Sequence, residues 1–374
     1  MAKHILDELE PFDPQGEGKD TEGGNQYDKK DKDKTVCRVT TLEDYSGETP
    51  IPGSLRSFIE ASGKRIIVFD VHGEIRLKKL LKITNGHVTI DGSSAPSLGV
   101  CIRDYPVKVT ADQVILRYLR LRLGVSQCVE LGKNGDCLDV QDCKNVVLDH
   151  LSLSWSIDEL LGTDGINNVT VQWCILSEAL SQSCHPEGEH SKAALLSVAK
   201  DGKLSLHHNL FAHNRDRNPR LNTGSLDIHY NVFYNYGKSY PGLSSENHGA
   251  KANYIRNYVK RGFDSQDYGF FDIRHEDVRM YIANNKMEGN EKGTKDNLLL
   301  VHQTGKHNIV DEPFNFEHVS GENNPDDVLK QVLRHAGATA PKRDSVDERI
   351  VNDVVNGTGQ IIDNPEEVGG YPNY

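Results

Sequence analysis

One short phrase, an asparagine set between apolar residues, recurs through the second half of the chain. It appears as LHHNLF (206–211), IHYNVF (228–233), YIRNYV (254–259) and IANNKM (282–287). Each copy carries short alternating strands and an Asn able to bond the backbone of its neighbours. Repeats of this length suit a solenoid in which every coil buries its face only against the next. A solenoid extends without needing a second core, so the 374 residues are read as one main body.

Apolar, alternating runs occupy 65–71, 87–92, 113–123, 145–155 and 168–176, each read as one strand. No two of them are joined by a two-residue Asn-Gly turn, which favours parallel coils over hairpins. GSLRSFIEASG, from position 53, has apolar residues at helical spacing behind Ser54 as a cap, and is expected to cover the first coil. VLKQVLRHAG (328–337) and DERIVNDVVNG (347–357) read as helices stopped by glycines and packed outside the solenoid. The reading divides the chain into a polar arm at 1–38, a β-helix at 39–320 and a C-terminal tail at 321–374. Up to about Lys34 the arm is charged and Gly-rich, including DKKDKDK (28–34), and is expected to be mobile and solvated.

A formal charge of −12 and a pI near 5.7 argue against a nucleic-acid partner, since phosphate binding needs a basic surface. No apolar run reaches the roughly 18 residues that a membrane span requires. MAKHILDELE lacks the basic-then-apolar pattern of a signal peptide. The seven cysteines form no CxxC pair and their number is odd. That argues against zinc and leaves at least one thiol free or bonded between chains, while Cys101 and Cys174 read as buried small hydrophobes. Tyr230, Tyr234, Tyr236, Trp155 and Trp173 read first as packing residues. Asn168-Val-Thr and Asn356-Gly-Thr match the glycosylation pattern, the former inside an expected ladder.

The ordered set GSLRSFIEASGKRIIVFDVHGEI, VTIDGSSAPSLGVCIR, NVVLDHLSLSWSIDE, NVTVQWCILSEAL, HHNLFAHNRDRNPR and DERIVNDVVNGTGQIIDNPEEVGGYP resembles the pectate lyase family, in its pectate trisaccharide-lyase-like branch. The resemblance runs from about Val39 to the end. It implies an all-β, single-stranded right-handed parallel β-helix with a short N-terminal capping helix and a C-terminal helical tail. It also implies a secreted monomer that cleaves de-esterified α-1,4-polygalacturonate by β-elimination with Ca2+. A lyase for methylated pectin or another uronate polymer, and a non-catalytic carbohydrate-binding β-helix, stand as alternatives.

Such chemistry needs a base for the C5 proton, a cation for the charge that develops on the uronate carboxylate, and a C4 oxygen that leaves. The family's Arg-x-Pro-Arg motif matches Arg217-Asn218-Pro219-Arg220, which makes Arg217 the expected base and Arg220 a partner for substrate carboxylate. An arginine is an awkward base, so its surroundings must favour the neutral form. Carry-over assigns Asp136 and Asp158 to calcium, which prefers hard oxygen ligands. A third family carboxylate falls at Gly162, which has no side chain; Glu159 is the substitute, although strand alternation would turn it away from Asp158. Where the family has a lysine within His-x-Lys-Gly-x-His, the chain reads His185-Pro186-Glu187-Gly188-Glu189-His190. Glu187 there opposes substrate carboxylate, with Lys192 as compensating cation and His185 as a further substrate contact. His185 and His190 alone are weak evidence for a transition metal. Asp149 and His150 match a family motif near the groove, with His150 read as structural.

Overall fold

In the computed structural model, which describes residues 5–25, 33–133, 135–237, 240–266 and 269–374, the apolar runs wind into parallel coils that form three sheets. Sheet A runs from Thr35–Val39 and Arg65–Phe69 to Ala250–Ile255 and Arg279–Ala283. Among the described residues sheet B has nine strands, from Gly73–Arg76 to Lys286–Met287. Sheet C runs from Leu81–Ile83 through Leu138–Gln141 and Lys192–Val198 to Phe271–Asp272. The long strand Glu159–Gln172 serves two sheets, pairing with Lys192–Val198 in sheet C and with Lys203–His207 in sheet A. The fold is the expected all-β parallel β-helix.

Three segments read as single strands are each two strands. The chain turns from sheet A to sheet B at Tyr118, His150 and Trp173, whose φ values are +52°, +53° and +53°. The same corner falls at His208, Tyr230, Arg256 and Asn284, with φ between +55° and +57°. A left-handed conformation costs a non-glycine residue roughly 1–2 kcal/mol, so each coil must offset it. Side-chain stacking supplies part. Tyr118, His150, Trp173, His208 and Tyr230 pile ring on ring, with successive centroids 4.6, 6.1, 4.2 and 4.9 Å apart. Arg256 ends the pile, donating to the Tyr230 hydroxyl at 3.1 Å.

The recurring asparagine is the residue after this corner. The Nδ2 groups of Asn209, Asn231, Asn257 and Asn285 donate to Oδ1 of Asn231, Asn257, Asn285 and Asn297 at 3.0, 3.1, 2.9 and 3.1 Å. Each Oδ1 also accepts a backbone N–H of the preceding coil, as Asn257 does from Asn231 at 2.9 Å. Asn209, Asn231, Asn257 and Asn285 are fully buried, so the ladder satisfies turn groups that water does not reach. Cys174 occupies the same position one coil earlier, where its N–H donates to Asn209 Oδ1 at 2.8 Å.

Over its described part the N-terminal arm lies against sheet A instead of standing free in solvent. Buried Arg117, paired with Asp149 at 2.9 Å and Asp91 at 3.3 Å, donates to the carbonyls of Glu10 and Pro11. Gly18 N–H donates to Thr170 Oγ1 at 2.8 Å and Gly24 N–H to Thr89 Oγ1 at 3.0 Å. The outer face of sheet A bears these hydroxyls and one buried guanidinium, and the arm's backbone is their partner. A Cβ on Gly24 would lie 2.1 Å from the Arg65 carbonyl oxygen, which is why this polar stretch needs glycine. The charged run at 28–34 lies largely outside the described residues.

Helix Leu55–Ile59 starts at Ser54, whose side chain accepts from Ser57 N–H, as expected. Helices Pro325–His335 and Ser345–Asn356 begin earlier than the apolar pattern suggested because Asn324 and Asp344 cap them. Val328, Val332, Ile350 and Val354 pack on Ile175, Leu210, Val232 and Tyr234 of sheet B. Asp344 also pairs with fully buried Arg122 at 2.5 Å. Among the described residues no helix is long and apolar enough to cross a membrane.

Two stability outcomes follow from the corner. Asn231→Ala strands donors and acceptors in two neighbouring coils and is expected to cost about 3 kcal/mol, read as a lower urea midpoint at unchanged slope. Buried His207 has its pKa lowered to about 4 by burial and then by His229. Its neutral form therefore contributes stability in full above the ordinary value of 6.5, and loses it as pH falls toward 4. His207→Gln is expected to flatten the unfolding free energy between those pH values; an unchanged slope would contradict this.

Candidate active site

The outward side of sheet C carries a row of residues held in register: Lys82, Lys108, Asp139, Gly162, Leu195 and Arg220 stand opposite one another on successive strands. Beside this row the sequence-predicted site residues converge. Asp136 precedes the strand Leu138–Gln141, and its Oδ1 accepts Glu159 N–H at 2.9 Å. Oxygens of Asp136, Asp158 and Glu159 lie within 4.8 Å of one another. Glu159 faces Asp158 instead of pointing away, because Asp158 sits in a bend and the strand begins only at Glu159.

Sequence reasoning missed Asp139. A Cβ placed on Gly162 would lie 2.6 Å from Asp139 Oδ1 and 2.9 Å from Asp136 Oδ2. The space for a side chain at 162 is thus taken by a carboxylate from the neighbouring strand. The signal was present in the segment Asp136-Cys137-Leu138-Asp139 beside a glycine, but only strand register shows that the two positions are partners. Burial, then the charges of Asp139 and Asp158, push the Asp136 carboxyl well above its ordinary range, and burial raises Asp139 too. Crowded hard oxygens of like charge are a donor set suited to a divalent cation such as Ca2+.

Cations line the other side. Lys192 Nζ lies 2.9 Å from Asp158 Oδ1. Arg217 forms an ion pair with Glu159. Its left-handed backbone, φ +54°, is held by its N–H donating to Asp216 Oδ1 at 2.6 Å and its carbonyl accepting Ala194 N–H at 2.8 Å. Burial, then the charge of Arg220, draw the Arg217 guanidinium below its ordinary pKa. The rings of His185 and His190 lie 3.4 Å apart between centroids and are tilted by 30°, with Nε2 atoms 3.5 and 3.6 Å from the Asp158 carboxylate. Burial, then His190, lower the His185 pKa.

Glu187, which the sequence placed against substrate, is exposed and ion-paired with Lys133. The Cys128–Cys184 disulfide, Cα atoms 5.9 Å apart, joins the same two loops, while Cys37, Cys101, Cys137, Cys143 and Cys174 are free and buried. Asp149 and His150 belong to the sheet A corner, where Asp149 meets Arg117, His150 and Gln172, and are not part of this cluster.

A parallel β-helix with carboxylates and guanidinium groups facing each other along one sheet is the scaffold of a polysaccharide lyase. No family model matches the chain. It is 32% identical over 365 residues to a protein named probable pectate lyase C from Aspergillus oryzae, covering 95% of this chain and 80% of that one. Its identity to the like-named protein of Emericella nidulans is 31% over 342 residues, 90% of this chain and 75% of the relative. Among solved structures it is similar to a pectate lyase from Bacillus sp. N165 in complex with trigalacturonate, at TM-score 0.58 and 15% identity, over 87% of this chain and 98% of that one. It is also similar to the major allergen from cedar pollen, at TM-score 0.59 and 18% identity, over 87% and 92%. The chain belongs to the pectate lyase family.

Position 162 gives a direct test of the site's packing. Gly162→Asp restores the family's third carboxylate but meets Asp139, so it is expected to lower both the melting temperature and calcium affinity. Asp139→Gly in the same chain is expected to recover both, a coupling that a double-mutant cycle measures; additive effects would show that the two positions do not share the space.

Proposed function

We propose that the chain is a lyase for de-esterified α-1,4-polygalacturonate, cutting it by β-elimination to oligogalacturonates with a C4–C5 double bond. The observation that carries this reading is the meeting of Arg217 with a carboxylate cluster on one outward groove. Asp136, Asp158 and Glu159, with Asp139 beside them, would hold Ca2+. When bound, that ion neutralises the uronate carboxylate and so acidifies the proton on C5.

Arg217 takes the C5 proton from its place in the groove, aided by burial and by Arg220, which both favour its neutral form. The electron pair of the C5–H bond becomes the C4–C5 double bond, and the C4–O bond breaks toward the leaving sugar. That oxygen takes up a proton from solvent and Arg217 returns its own to solvent, so the proton count closes and no water is added across the bond. Arg220 offers a forked guanidinium to substrate carboxylate, and Lys192 and His185 line the same side. Lys192, paired with Asp158 at 2.9 Å, is the cation offered to substrate on this side, while the charge of Glu187 is taken up by Lys133. The same reading makes the protein a secreted monomer.

Ultraviolet absorbance of the unsaturated product, followed on polygalacturonate and on methylated pectin with calcium and then chelator, tests this. A calcium-dependent rise on polygalacturonate is expected, and no rise on either polymer would leave a binding β-helix. Arg217→Lys is expected to lower kcat by at least about 100-fold with the circular dichroism spectrum unchanged; near-normal turnover would remove Arg217 as the base.

A further inference from the structure

The carboxylate cluster does not end the groove. On the N-terminal side of Asp139, a cavity of about 330 Å³ is lined by Lys79, Leu80, Tyr105, Lys108, Glu130 and Leu131, with Asp139 itself at one edge. Its walls have two characters. Leu80, 40% exposed, and half-buried Tyr105 and Leu131 make an apolar floor. Tyr105 is fixed in place, its hydroxyl donating to Glu130 at 2.8 Å. Lys79 and Lys108 bring ammonium groups to the rim, across from the carboxylates of Glu130 and Asp139, and Lys82 lies one strand further along the row. Lys82 and Lys108 are register partners on adjacent strands, each flanked by buried residues and therefore pointing outward. Lys108 in turn stands opposite Asp139.

Parallel strands lie about 4.8 Å apart, a step close to the advance of one 1,4-linked pyranose. A polyuronate chain laid along the row therefore offers roughly one sugar and one carboxylate to each coil. Apolar sugar faces suit the Tyr105 and Leu80 floor, and carboxylates suit the lysines. Resting on the function proposed above, we propose that this cavity is a remote uronate subsite, with Tyr105 and Leu80 under one sugar and Lys108 and Lys82 holding its carboxylate and that of the next. From Lys108 to Arg220 the row crosses four strand spacings, about 19 Å. The subsite is thus reached only by a chain several sugars longer than the unit being cut.

Length dependence separates this role from a structural one. Tyr105→Ala and Lys82→Gln would each be assayed with galacturonate trimer and hexamer, and hexamer binding would be measured by calorimetry on the full chain with the same substitutions. A fall in hexamer kcat/KM of about tenfold, the loss of one good contact, with trimer turnover and melting temperature unchanged, is the expected result. Equal losses on trimer and hexamer, or no loss on either, would overturn the subsite. If the wild-type chain cleaves no uronate but binds hexamer in a way that Lys82→Gln weakens, the catalytic reading fails and the subsite stands. Absence of hexamer binding by the wild-type chain overturns the subsite itself.

Discussion

Everything in this molecule depends on a turn made by one residue. At the corner between sheets A and B the chain adopts the left-handed conformation in coil after coil, at residues that are not glycine. A glycine would make the turn more easily, but it has no side chain to stack. Using Tyr, His and Trp instead, the chain accepts backbone strain and offsets it through a ring pile and a buried asparagine ladder. A turn of constant length keeps each coil in register with the next.

Register is what assembles the groove. Asp139, Gly162, Leu195 and Arg220 are far apart in sequence, yet stand side by side on successive strands of sheet C. Carboxylates from one pair of coils and guanidinium groups from a later one thereby face a common space. Burial then acts in opposite directions on them, raising Asp136 and lowering Arg217. Each charged group is disfavoured alone and stabilised by a partner of opposite sign. A polyanionic substrate fits this arrangement despite the formal charge of −12, because the relevant charges are local.

The repeat, the parallel coils, both C-terminal helices and the residues that converge on the groove were legible in the sequence. The asparagine phrase announced the corner without revealing it. The apolar alternation slips by one residue at Tyr118, His150 and Trp173, from Val114 and Leu116 to Leu119 and Leu121 in the first case, and reading each run as one strand passed over that slip, which marks two strands meeting at a left-handed residue. Glu159, assigned to the carboxylate set from the sequence, does lie beside Asp158, because the bend at Asp158 suspends the alternation that would have turned it away. Asp139 was invisible because its partner, Gly162, is named by register and not by spacing. The N-terminal arm looked solvated because its polar composition was read without the buried Arg117, Thr170 and Thr89 that its backbone satisfies.

Product mass tests the central claim most directly, since elimination and hydrolysis leave different fragments. Polygalacturonate digested with calcium and examined by mass spectrometry should yield new ends lighter than the hydrolytic ones by one water. A digest in which no fragment lacks that water would contradict proton abstraction by Arg217 and an elimination in this groove.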